Sequence, residues 1–158
     1  MKSLSHALTM GLIGAIAVFV SFSWHFPTWV LFIAWVSYYL LGKNIKSASL
    51  IFTQQLLGIL FAIIIQYLGT LLSKTLGISG FSIVVFVIIT GVYYLSKLKY
   101  LNVIPAYFLG MIIWFGSHTQ PNTKVLGLTV FTMLLGFLFA WSNDLISERI
   151  DAFFTKKQ

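Results

Sequence analysis

The chain has no cysteine, which excludes disulfides, thiol nucleophiles and cysteine-ligated metals, and leaves the redox compartment unmarked. Charge is scarce as well. Only 8% of the 158 residues are Asp, Glu, Lys or Arg, against about 25% in a soluble domain. Acid is rarest of all: Asp144, Glu148 and Asp151 are the only carboxylates, and they cluster near the C-terminal end. With no acid midway along any apolar stretch, and Asp144 only at the end of the last, proton antiport and a metal-cation path lack the buried relays or ligands they normally use. There is no Ser-His-acid set, no paired carboxylate, no phosphate-binding glycine loop and no nucleotide motif, so the expectation is a non-enzyme without a cofactor. The histidines, His6, His25 and His118, lack companion ligands and predict no metal site. They are read as ordinary solvent-exposed side chains, with external pH sensing by His25 and His118 as the alternative.

What remains is apolar. Hydrophobic residues make up 59% of the chain and the mean hydropathy is +0.96. Six apolar stretches stand between short polar breaks, at about 7–23, 27–41, 48–72, 80–95, 105–117 and 125–145. This pattern predicts an all-α, polytopic membrane protein with a single membrane domain (1–158) and a tail over 146–158. The first stretch follows one basic residue, Lys2, and shows no clear small-residue cleavage site, so it is read as a span and not as a signal peptide. Stretches two and five fall short of the roughly 20 residues a spanning helix needs, and both begin with proline.

The formal charge of +7 suggests nucleic acid only until its distribution is read. With six spans, Lys2, Lys43, Lys46, Lys97, Lys99, Arg149, Lys156 and Lys157 fall on one side, and only Lys74 and Lys124 on the other. Basic residues gather on the cytoplasmic side, so both termini are expected there. The expected partner is membrane lipid, not nucleic acid. Making stretches two and five re-entrant would leave four true spans and erode this bias.

The chain also repeats itself. Gln55-Leu56-Leu57-Gly58-Ile59-Leu60-Phe61-Ala62 returns 78 residues later as Met133-Leu134-Leu135-Gly136-Phe137-Leu138-Phe139-Ala140. The same offset pairs Pro27 with Pro105, Leu31 with Leu109, Asn44 with Asn122, Lys46 with Lys124 and Leu50 with Leu128. Two three-span units (about 7–72 and 80–145) must point opposite ways, because an odd number of crossings reverses the chain. The expectation is therefore two inverted three-helix repeats, an arrangement common among transporters and channels.

Candidate functional residues follow from the repeat. One face of span three carries Gln55, Gly58, Ala62 and Gln66; its counterpart in span six carries Thr129, Met133, Gly136, Ala140 and Asp144. Gly58 with Ala62, and Gly136 with Ala140, are small-xxx-small pairs that let helix backbones approach in lipid, either between repeats or between subunits; a glycine-lined path is the rival reading. Gln54 and Gln55 sit amid apolar residues, where an unbonded amide would cost several kcal/mol. They serve either a small polar solute or neighbouring helices. Pro27 with Trp29, and Pro105 with Tyr107, open the short stretches. They mark plain interface helix starts, or helix N-termini aimed at a solute from each half. Asp144 is expected near the interface, pairing with Arg149.

Pro105, Phe108 and Gly110, followed by Leu134-Leu135-Gly136 and Phe139-Ala140, with the Trp-rich second stretch (Trp29, Trp35, Tyr38), resemble a YcdZ-like bacterial inner-membrane family, domain of unknown function 1097. Ala106 and Pro121-Asn122 depart from the family's pattern. The resemblance implies an inner-membrane location and no established substrate. The residues together predict a homo-oligomeric channel or facilitator for a small uncharged polar solute. Its path would run near Gln54, Gln55, Gly58, Gly136, Thr129 and the two proline-started helices. A non-transporting scaffold or accessory subunit, and an ion-coupled secondary transporter, are the alternatives.

Overall fold

The computed structural model describes residues 1–41, 43–117 and 120–155. His118 and the basic pair Lys156 and Lys157 lie outside the described residues. Among the described residues there are six helices and no strand: α1 (Lys2–Ser23), α2 (Thr28–Leu41), α3 (Ile45–Leu76), α4 (Ile78–Leu95), α5 (Ile104–Gly116) and α6 (Thr123–Thr155). Long apolar runs free of internal proline favour this, because only a helix satisfies every backbone group within its own segment in lipid. Four helices, α1, α3, α4 and α6, are long and apolar enough to cross a bilayer, while α2 and α5 are shorter apolar helices. At 1.5 Å per residue, α2 with 14 residues reaches about 21 Å, against a hydrocarbon core of about 30 Å.

The helices exceed the apolar stretches in places. α6 continues ten residues beyond Leu145, because Ile146, Ile150 and Phe153 recur at helical spacing with no glycine or proline between them. The turns have identifiable chemistry. After α1, His25 adopts φ +57°, and the amides of His25 and Phe26 donate to the carbonyls of Phe22 and Ser21, closing a Schellman-type C-cap. His25 is thus a turn residue as well as an exposed one. Between α3 and α4 a single residue, Gly77, makes the reversal at φ +59°, a conformation glycine adopts without strain.

The chain divides into two compact units. The first comprises Met1–Ala48 and Thr123–Gln158. In it α2 lies along α6, with Phe26 against Phe131, Leu31 against Gly136, Trp35 against Phe139 and Tyr39 against Asn143. The pairings ascend together, so the two helices run parallel. α1 packs beside them in the opposite sense: Lys2 and His6, at its start, reach Asp151 near the end of α6, each at 2.9 Å.

The second unit, Ser49–Asn122, holds most of α3 with α4 and α5. Here Gln54 meets Val103, Gly58 meets Tyr107 and Gln66 meets Trp114, again ascending together, so α3 and α5 are parallel. α4 folds back on α3. A side chain at Gly80 would lie 2.5 Å from the Leu72 carbonyl carbon, and one at Gly69 would lie 2.5 Å from the Phe81 ring.

Candidate functional site

In the second unit the candidate residues of α3 converge on α5. Gln54 is fully buried, and both ends of its amide are bonded. Its Nε2 donates to the Leu50 carbonyl at 3.1 Å, and its Oε1 accepts the Val103 amide N–H at 2.8 Å. Val103 is the N-cap of α5, which no side chain of its own flank caps, so Gln54 satisfies a donor that the helix start leaves open. The positive end of the proline-started helix is therefore met by a protein carbonyl. Pro105, the second residue of α5, is exposed.

One turn along α3, the backbone carbonyl of Tyr107 fills the place a Gly58 side chain would take, with the carbonyl carbon at 2.8 Å. Reciprocally, the Gln55 carbonyl fills the place of a side chain at Gly110. Each helix thus presents a glycine to the other's backbone, the close approach that small residues permit in lipid. Gln55 and Ala62 are fully buried beside this contact. Tyr107 is fully buried too; its ring stacks on Phe61 and its hydroxyl donates to the Leu101 carbonyl at 2.9 Å. At the other end, the Trp114 indole N–H donates to Gln66 Oε1 at 2.7 Å.

The first unit repeats this plan with different chemistry. The Leu31 carbonyl fills the place of a Gly136 side chain, and Ala34 Cβ would stand 2.7 Å from it. Ala140 is fully buried and Thr129 nearly so. Pro27 is half-buried just before α2, and its carbonyl accepts the Val30 and Leu31 amides. Trp29 stands on the exposed side of α2. Thr129, Gly136 and Ala140 thus share the buried face of α6, Pro27 caps the start of α2, and Trp29 stands apart from both.

The contacts of several polar groups escaped the sequence reading. Asp144 accepts a hydrogen bond from the Tyr38 hydroxyl at 3.1 Å, and the expected pairing with Arg149 does not form among the described residues. Tyr39 donates to the Ala140 carbonyl at 3.2 Å and accepts from Asn143 Nδ2 at 2.6 Å. Asn143 is buried, and its Oδ1 has no hydrogen-bond partner. The usable signal lay in the repeat. Gln66 and Asp144 are 78 apart, and each accepts from an aromatic on the short parallel helix beside it.

The matching family model spans residues 7–148, from α1 into the last turns of α6, and is described as a protein of unknown function (DUF1097). The chain belongs to the DUF1097 family. α2 to α5 and the greater part of α1 and α6 fall within the DUF1097 match, including Gln54, Gly58, Tyr107 and Gly136. Neither a curated protein nor a solved structure matches the chain.

Proposed function

We propose that this DUF1097 protein is a small, non-catalytic membrane protein of six spans in two inverted repeats, acting as a scaffold or accessory subunit, with its repeat residues devoted to helix packing. The observation that carries this reading is Gln54. A solute-binding amide would keep a free end, whereas this one is bonded to Leu50 and to the start of α5. Gly58 and Gly136, the candidate path glycines, are likewise occupied by carbonyls of neighbouring helices.

The inverted repeat is supported by a constant register. At the offset of 78, Tyr107 corresponds to Trp29, yet Gly136 meets Leu31, two residues on. Trp114 corresponds to Val36, yet Asp144 meets Tyr38, again two residues on. Two independent contacts shifted by the same step describe one packing mode used twice. Six crossings are supported by the links. Three residues separate α2 from α3, spanning about 10 Å at most, so α3 starts beside Lys43 on the surface where α2 ends. The 32 residues of α3, about 48 Å long, are then ample for a crossing.

A second reading, a path for a small uncharged solute, is favoured by one feature: Asn143 Oδ1 is a buried acceptor still lacking a donor. Stopped-flow light scattering on proteoliposomes with small neutral solutes separates the two. The scaffold reading expects no flux above protein-free liposomes, and a Gln54→Leu variant that melts earlier without altering permeability. Flux abolished by Asn143→Leu, with melting unchanged, would sink the scaffold reading and leave the channel.

A further inference from the structure

The chain has only three carboxylates, and two of them line one cavity with two of its lysines. This cavity, about 410 Å³, belongs to the first unit. Asp144 and Glu148 face it from α6, one helical turn apart. Lys43 and Lys46 face it from the link between α2 and α3 and from the first turn of α3. Tyr38 forms part of the wall and braces it: its hydroxyl lies 2.7 Å from the Lys43 carbonyl and 3.1 Å from Asp144 Oδ2, tying the basic and acidic sides together. Asn44 fixes the start of α3 by accepting the Ser47 amide at 2.9 Å, which leaves that helix's positive end at the same cavity. Trp141, partly exposed, supplies an aromatic rim.

Both signs of charge around one small opening with an aromatic rim match a zwitterion and not a simple ion. The cavity stands at the end of an apolar helix pair, where lysine and tryptophan mark the headgroup layer of a bilayer. We propose that this cavity binds a phosphoethanolamine group, with the phosphate at Lys43 and Lys46 and the primary ammonium at Asp144 and Glu148. A primary ammonium offers three N–H donors to the carboxylates. A quaternary choline offers none, and a phosphoglycerol headgroup carries no cation. The same group comes from a phospholipid or from the free phosphoester, and the two sources are separable.

Native mass spectrometry of the full chain in detergent, titrated with phosphatidylethanolamine, phosphatidylcholine and phosphatidylglycerol of identical acyl chains, tests it. Phosphatidylethanolamine is expected to bind best, by roughly three- to tenfold, as one hydrogen bond of ordinary net strength would give. Glu148→Gln should erase the preference over phosphatidylcholine, and Lys43→Ala should weaken all three lipids. Both side chains are exposed, so melting should stay at the wild-type value. Displacement of the lipid by soluble phosphoethanolamine would assign the free phosphoester as a sufficient ligand; persistence of the lipid would assign the membrane lipid. Equal occupancy by the three lipids in the wild type, or a preference that survives both substitutions, overturns the proposal.

Discussion

Glycines of this chain differ sharply in what surrounds them. At Gly58 a methyl group would run into the Tyr107 backbone, whereas at Gly127 nothing lies within 4 Å. Gly58→Ala should therefore destabilise by about 1–3 kcal/mol through overpacking, or more if α5 cannot shift. Gly127→Ala should be neutral or slightly stabilising, since alanine is the better helix former by about 0.8–1.0 kcal/mol. Thermal unfolding of the detergent-solubilised protein compares the two directly. Gln54→Leu removes the acceptor for a half-buried amide and should cost about 1–3 kcal/mol, with faster hydrogen exchange at Val103 as its local signature. Outside the spans, hydrogen bonds from Lys2 and then His6 hold the Asp151 carboxyl below the ordinary carboxylate range. The folded state thus prefers the ionised acid. The stabilisation is present in full above that range and is lost as pH falls below about 4, through the lowered value. Exchange in the first turn of α1 should rise over that window, and Asp151→Asn should show the raised rate at neutral pH. If exchange there does not change with pH, the contact contributes nothing in solution.

At the scale of elements, the sequence exposed the helices well and their partners poorly. Apolar runs, polar breaks and the paired prolines located all six helices, because those signals are local. The glycine faces of α3 and α6 were legible as packing surfaces. What they pack against was not, because a face states its shape and not its occupant. Gln54 shows the limit most clearly. A buried amide reads alike whether it meets a solute or Val103, and the deciding N–H lies 49 residues away. The extension of α6 through Thr155 was hidden by its charges, which suit a helix in water as well as a loose tail. Near the end of α5, the Trp114 indole hydrogen-bonds to Gln66 of α3. Trp114→Phe should keep the fold while raising exchange over the last turn of α5; an unchanged rate would show that apolar packing alone secures that end.

For the whole molecule, the distribution of lysines remains the plainest evidence of orientation. The absence of native cysteine makes it directly testable, since each introduced thiol is the only one present. Lys43→Cys and Lys97→Cys should react with a membrane-impermeant maleimide only after inner-face access is opened. Lys74→Cys and Lys124→Cys should react from outside in intact cells. Four crossings with re-entrant α2 and α5 would instead put Lys43 and Lys97 outside. The parallel packing of α2 on α6 carries one more implication, which concerns time. Close to eighty residues separate Leu41 from Thr123, roughly four to sixteen seconds of synthesis at about 5–20 residues per second. Throughout that interval the Leu31 and Ala34 face of a newly inserted α2 has no helix to close on it. A young chain must keep that face against lipid or an insertion factor until its last helix emerges from the ribosome.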